Sequence, residues 1–223
     1  MQPPERPALG AALQQRLEAL AARIPMAISG QESDALVQYL ALLQRWNATY
    51  NLTAVRDPAQ MLTQHLIDCL AIVPALRRHA GDLPPRVLDV GSGGGLPGVV
   101  LAVLNSAWSV TCVDSVGKKA AFIQQAALEL RLSNLHSQHA RVEHLKTPPF
   151  QLITSRAFAS LADFVNLTKP HLAPGGTWVA MKAKLPAAEL AAMPADVVVF
   201  HVEQLDVPDL GADRCLVWMR RSL

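Results

Sequence analysis

The twelve residues VLDVGSGGGLPG, 87 to 98, constrain the fold of this chain more than any other stretch. A short apolar run is followed by five glycines in the eight positions from Gly91 to Gly98. Glycine gives up more backbone entropy on folding than any other residue. A cluster of this density is therefore expected where the chain turns sharply and something approaches its backbone closely. A strand that ends in a glycine turn and opens a helix is the first unit of a doubly wound α/β sheet, which binds ligands at the carboxyl ends of its strands. A tight turn by itself accounts for one or two glycines; five together point to a ligand.

The neighbourhood narrows the ligand. No Lys-Ser or Lys-Thr follows the glycines, which excludes a P-loop. Gly93, Gly95 and Gly98 satisfy the dinucleotide pattern G-x-G-x-x-G, but that frame begins two residues beyond the strand's end; from Gly91 the loop reads G-x-G-x-G. The next apolar run, SVTCVD, ends in Asp114, 23 positions beyond Gly91. A carboxylate there accepts hydrogen bonds from the vicinal hydroxyls of a ribose, or caps the helix that follows. Strand, loop and terminal acid indicate a nucleoside-containing cofactor and leave NAD and S-adenosylmethionine both open.

The remainder of the chain divides in two. Up to about residue 80 the apolar residues recur at helical spacing: Leu13, Leu17 and Leu20; then Leu36, Val37, Leu40 and Leu43 behind Ser33 as an N-cap; then 58 to 78, opening on Pro58 and closing on Arg77 and Arg78. After Pro84-Pro85, short apolar runs alternate with helical stretches, the mark of strands buried on both faces of a parallel sheet. The last two runs, DVVVFHVEQL and RCLVWMRR, are joined by a turn-rich loop and are expected to form an antiparallel hairpin at the sheet's edge. With 51% hydrophobic and 17% charged residues, the 223-residue chain has the balance of a well-buried globular protein, and its net charge of +2 neither requires nor excludes a nucleic-acid partner. Cys69, Cys112 and Cys215 show no paired spacing, which fits a reducing cytoplasm. No signal peptide and no apolar run long enough for a bilayer is read, so a cytoplasmic protein without a membrane partner is expected.

Five motifs in order, RWNATYNLTAV with QHLIDCL, DVGSGGGLPG, VTCVDSVGKKAAFIQQ, SRAFASL and MKA, resemble the bacterial glucose-inhibited division protein B family, the small-subunit ribosomal RNA guanine-N7 methyltransferases. The resemblance runs from about residue 35 to the C-terminus. It implies a Rossmann-like class I S-adenosylmethionine-dependent methyltransferase fold: a mostly parallel seven-stranded sheet over 81–223, with an N-terminal helical extension over 1–80. It implies methyl transfer from S-adenosylmethionine, without a metal, to N7 of guanine 527 in the 530 loop of 16S rRNA, by a monomer. Donor contacts carried over fall on Gly91 and Leu96 of the loop, on Val142 and Glu143 flanking the adenine, and on Arg156 beside the donor; Ser92, Gly93 and Gly95 of the same loop, and Asp114 for the ribose, complete the cofactor-binding candidates. Family members often carry Ala or Pro where Gly94 stands.

The residues agree with that chemistry on their own terms. After the fourth apolar run stands ITSRAF, without the Asn- or Asp-Pro-Pro-aromatic segment of enzymes that methylate exocyclic amines, and no cysteine is placed for attack on a pyrimidine ring. Guanine N7 carries a free lone pair, so no general base is needed and catalysis is positioning plus charge stabilisation. Arg156 suits a carboxylate or a phosphate. His65 and Asp68, three apart on a helix, either pair locally or help close the site. Lys118, Lys119 and Lys182 are candidates for RNA phosphate, with a solvated helix face equally expected for the first two. Asn47 and Asn51 either bind RNA or cap helix ends, and Trp46 belongs to the core. The rivals are a nicotinamide-dependent oxidoreductase, from the G-x-G-x-x-G frame, and a non-catalytic RNA-binding or ribosome-assembly module on the same fold.

Overall fold

A computed structural model describes residues 6–156, 158, 160–184 and 187–222; the N-terminal MQPPE, and Ala157 and Ala159 of the SRAFASL segment, lie outside the described residues. Helices α1 (Arg6–Ala21) and α2 (Gly30–Tyr50) come first. The segment Pro58–Ala80 follows, composed of α3 (Pro58–Met61), a π-helical stretch (Leu62–Ile67), α4 (Asp68–Leu70) and α5 (Val73–Ala80). The sheet region then alternates: β1 (Arg86–Val90), α6 (Gly98–Leu104), β2 (Ser109–Asp114), α7 (Gly117–Glu129), β3 (Leu135–His139), β4 (Phe150–Arg156), α8 (Leu161–Thr168), β5 (Leu172–Lys182), α9 (Ala187–Ala191), β6 (Val197–Leu205) and β7 (Arg214–Arg221).

The seven strands lie in the order β3-β2-β1-β4-β5-β7-β6. The first five are parallel, while β7 runs antiparallel to both β5 and β6. The C-terminal hairpin is therefore present at the edge, with β7 inserted between β5 and β6. Chain order reverses at β1, with β2 on one side and β4 on the other, and this switch point opens the crevice where such sheets bind ligands. The antiparallel insertion of β7 departs from the 3-2-1-4-5-6 order of dinucleotide-binding sheets.

Alternation along the strands builds two apolar layers. Val87, Val110, Cys112, Leu152, Val179 and Leu216 face α1, α2, the 58–80 segment, α6 and α7 in one continuous cluster; Leu88, Val113, Ile153, Trp178 and Val217 face α8 in the other. The helical extension thus shares its core with one face of the sheet. By length and composition the Pro58–Ala80 segment could cross a membrane, contrary to the sequence expectation that no such run exists, but 83% of its apolar window is buried within the protein.

Helix α2 begins earlier than expected. Its N-cap is Ser29, whose hydroxyl accepts from the Glu32 amide while the Glu32 carboxylate accepts from the Ser29 amide, a reciprocal capping box. Ser33, expected at the cap, is buried one turn inside and donates to Glu18 of α1. The third helix starts as expected, with Asp57 capping and Pro58 at its first position.

Candidate functional site

The glycine loop leaves β1 at Gly91 and is fastened to β2 along its length. The Gly91 and Ser92 amides donate to the Val113 carbonyl (2.9 and 3.3 Å), and the Gly93 amide donates to Asp114 Oδ2 (2.9 Å). Asp114 Oδ1 accepts from the Val116 amide, 2.9 Å, and Lys119 Nζ stands 3.9 Å from Oδ2. Asp114 is buried and latches the loop to the turn after β2, and its two oxygens have further acceptor capacity for a ribose. The N-cap of α7 is Val116, two residues on, and no side chain caps the helix there; Asp114 instead accepts from the Val116 amide.

Why the loop needs its glycines differs from one to the next. A Cβ on Gly98 would stand 2.2 Å from Cys112 Sγ, and one on Gly95 would stand 2.6 Å from a Val99 methyl carbon. These two are glycine because the protein itself fills the space, and Gly95, a sequence candidate for donor contact, is enclosed by Val99 and Ile123. Gly91 abuts the Phe158 ring. Gly93, with φ +58°, alone of the five has nothing within 4 Å of its would-be Cβ. The expectation that a ligand explains all five is corrected: protein atoms account for Gly95 and Gly98 and crowd Gly91 and Gly94, and open space beside the would-be Cβ is found at Gly93 alone, although Gly91–Gly94 line a cavity.

That cavity, about 460 Å³, lies at the carboxyl end of β1. One wall is Gly91, Ser92, Gly93, Gly94 and Leu96; the opposite wall is Leu52, Thr53, Gln64, His65 and Asp68; Arg156, Met181, Lys182 and Arg214 close it from the strand ends. The structure thus brings Gly91, Ser92, Gly93, Leu96, His65, Asp68, Arg156 and Lys182 to one cavity. Asp114, Val142, Glu143, Lys118, Lys119, Asn47 and Asn51 do not line it. Val142 is buried in a single 3-10 turn, Glu143 beside it is exposed, and Lys118 is exposed.

His65 of the π-helical stretch and Asp68, which opens α4, meet different partners, so they do not pair with each other. His65 Nε2 meets Thr53 Oγ1 at 2.9 Å. Asp68, 2% exposed, accepts from Arg214 Nε through Oδ1 (2.8 Å) and from Arg156 Nη1 through Oδ2 (3.3 Å). Arg156 also donates to the Gln64 carbonyl, 2.9 Å, within the π-helical stretch, a conformation that recurs at functional sites. Two guanidinium groups thus flank one carboxylate at the cavity wall, leaving a net positive charge suited to anions. Lys182 Nζ is held by both Glu189 oxygens (3.1 and 2.9 Å).

Arg214 was missed by sequence reasoning. It follows the loop VPDLGAD at the start of the last strand, a position without a motif. Because β7 is antiparallel, its first residues lie at the carboxyl end of the parallel strands, with Cys215 opposite Lys182. Asn47 is corrected as an RNA contact: it is buried, its carbonyl oxygen accepts from the Thr53 amide (2.9 Å) and its amide donates to the Val55 carbonyl (3.2 Å). Asn51 ends α2 in the left-handed region (φ 50°) and accepts from Arg56. Both asparagines shape the 51–57 loop. Trp46 is half-buried against Phe122, 5.6 Å between ring centres.

Two buried groups here titrate in opposite senses. Burial pushes the Asp89 carboxyl up from 3.8 to about 7, and burial with the Arg156 charge pushes His65 down from 6.5 to about 4. Folded Asp89 keeps a proton that the unfolded chain has lost, so its contribution to stability falls as pH rises between these values. Unfolded His65 binds a proton that the folded ring refuses, so its contribution rises with pH from about 4 to 6.5. Each slope reaches about 1.4 kcal/mol per pH unit, and over the shared window they offset each other. Asp89→Asn is expected to give a stability that climbs with pH relative to wild type in that window, and His65→Gln one that declines. Urea denaturation at closely spaced pH values checks this; parallel profiles for all three proteins would contradict it.

The family model for GidB, rRNA small subunit methyltransferase G, matches residues 32–217. The Ribosomal RNA small subunit methyltransferase G of Leptothrix cholodnii is 62% identical over 193 residues, 86% of this chain and 88% of that protein. That of Albidiferax ferrireducens is 54% identical over 220 residues, covering 94% and 98%. Among solved structures, TrmN from Thermus thermophilus aligns with a TM-score of 0.55 over 94% of this chain and 78% of its own, at 19% identity. A SAM-dependent methyltransferase from Aquifex aeolicus also reaches 0.55, over 76% and 96%, at 15% identity. At such identities the two structures speak for the fold alone.

Proposed function

The chain belongs to the rRNA small subunit methyltransferase G family, and from that premise we propose that it transfers a methyl group from S-adenosylmethionine to N7 of guanine 527 in the 530 loop of 16S rRNA. It is a methyltransferase of ribosomal RNA; the base and the atom are the proposed part. The particular guanine is what the family resemblance implies; the observation that supports the atom is the cavity's chemistry. Asp68 has both oxygens committed to arginines, and His65, pushed down to about 4, is a poor proton acceptor at neutral pH. A site without a free base suits an acceptor atom that has no proton to lose.

The residues fit the donor. Gly91 to Gly94 leave backbone uncovered along one wall, the Gly94 amide has no partner among the described residues, and Arg156 offers a guanidinium at the same cavity. Asp114 would take the ribose, and Val142 and Glu143 the adenine. When bound, the donor supplies an electrophilic methyl group on a sulfonium. The chain's work is then to hold the target guanine in line with it, to keep water out with Leu43, Leu52, Leu96 and Met181, and to draw the RNA's phosphates to Arg214 and Arg156. Lys118 and Lys119 extend that attraction beyond the cavity. We read the protein as a cytoplasmic monomer acting on 16S rRNA or the assembling small subunit.

Incubation with tritiated S-adenosylmethionine and small subunits lacking the modification tests this. Label is expected in 7-methylguanosine after nuclease digestion. Label in any other nucleoside would overturn the N7 assignment, and no transfer, with subunits still bound, would favour a binding module. Titration with NADH and S-adenosylhomocysteine separates the oxidoreductase: uptake of NADH alone would replace the methyltransferase reading.

A further inference from the structure

The loop that forms the donor wall is pinned to the sheet almost everywhere. The amides of Gly91 and Ser92 go to Val113, that of Gly93 to Asp114, those of Gly95 and Leu96 to the Ser92 carbonyl, and that of Gly98 to Asp89. Pro97 has no amide to pin, and the remaining residue, Gly94, is held from elsewhere. Its carbonyl accepts a 2.5 Å hydrogen bond from the hydroxyl of Tyr39 on α2. Tyr39 is fully buried, with its ring against Phe122 at 6.0 Å between centres. The peptide between Gly94 and Gly95 is thereby fixed at both ends, by Tyr39 at its oxygen and by the Ser92 carbonyl at its nitrogen. The Gly93–Gly94 peptide, bracketed by pinned neighbours, carries the loop's one uncommitted N–H among the described residues.

The same helix reaches the opposite wall. Tyr39, Leu43 and Asn47 recur every four residues along one stripe of α2. Leu43 lines the cavity and would stand 3.2 Å from a Cβ on Gly94, while Asn47 holds Thr53 and Val55 of the facing loop. One helix of the N-terminal extension therefore spaces the glycine loop from the Thr53–His65 wall.

We propose that Tyr39 is a positioning residue for the methyl donor: its hydroxyl fixes Gly94 so that the loop's free amide is presented to the donor's carboxylate before binding. The role rests on the methyl-donor reading above. A loop already in its bound conformation has no ordering cost to meet when the ligand arrives, so the hydroxyl acts on affinity and leaves the chemical step alone. Burial holds the phenol's pKa well above 10, so it donates throughout the working pH range.

The test is Tyr39→Phe, which keeps the ring and deletes the donor. The dissociation constant for S-adenosylhomocysteine, by calorimetry, is expected to rise about tenfold, and KM for S-adenosylmethionine with it. At saturating donor, kcat and KM for small subunits stay within about twofold of wild type, and the thermal midpoint falls by no more than about 4 °C. Wild-type affinity in the variant would overturn the role. So would a kcat at saturating donor reduced as much as the affinity, since that marks general disruption of the site. Wild-type protein that fails to bind S-adenosylhomocysteine would overturn the donor reading and this role together, a result visible before the variant is made.

Discussion

Replacing Asp68 by alanine is expected to destabilise the protein by about 3 kcal/mol and to lower methyl transfer by about a hundredfold or more. Asp68 is buried and is the carboxylate between Arg156 and Arg214, with one oxygen committed to each. Without it two guanidinium groups face each other across the cavity wall, each only about a fifth exposed (23% and 22%) and so weakly screened. Breaking a buried pair costs about 3–5 kcal/mol, and partial exposure of the arginines places this case at the lower end. The two arginines then separate, and anions meet the cavity in the wrong place. Asp68→Asn separates the effects, because it keeps the shape and an acceptor oxygen while removing the charge. It is expected to lose less stability than the alanine variant but most of the activity. Urea denaturation and initial rates on small subunits check both. Alanine and wild-type proteins of equal stability would show that the triad does not hold this wall.

Gly98→Ala is the second large effect, and it acts on the fold beneath the site. The added methyl would lie 2.2 Å from Cys112 Sγ and 2.9 Å from Asp89 Oδ2. Those side chains belong to fully buried residues paired across β1 and β2, so neither has room to yield. Relief requires α6 to move outward, which lengthens the Gly98 N–H bond to Asp89, now 2.9 Å. Overpacking of this kind costs about 3 kcal/mol, and here the displaced helix carries the glycine loop with it. Cys112→Ala on its own loses a buried side-chain atom and is expected to cost about 1 kcal/mol. In the double variant the deleted sulfur makes space, so its cost should fall short of the sum of the two single costs by at least about 1 kcal/mol. Strict additivity would contradict the contact.

What could be read in the sequence follows from the range over which each signal acts. Strands buried on both faces are continuous apolar runs, so the α/β alternation and the closing hairpin were legible. The glycine loop and Asp114 were legible because strand, turn and acid occur in register along the chain. Which glycines face a ligand was not, since Gly95 and Gly98 are dictated by Val99 and Cys112 from other elements. Ser33 and Ser29 are both plausible caps in isolation, and the capping box with Glu32 decides for the second. The π-helical stretch of Leu62–Ile67 leaves no periodic trace, yet it sends His65 to Thr53 and leads directly into Asp68, which meets the arginines. Arg214 depends on the antiparallel turn of β7, and Tyr39 meets the loop 55 residues away in sequence. Their roles belong to the tertiary structure.

The central claim, N7 methylation of one guanine in the 530 loop, is tested most directly on the RNA itself. 16S rRNA is isolated from cells with and without this gene, and fragments spanning the 530 loop are compared by mass spectrometry and by borohydride–aniline cleavage, which cuts at 7-methylguanine. The expected result is a fragment one methyl group heavier, cleaved at that guanine, only where the gene is present. An unchanged fragment, or a methyl group that does not render the strand cleavable there, would contradict it.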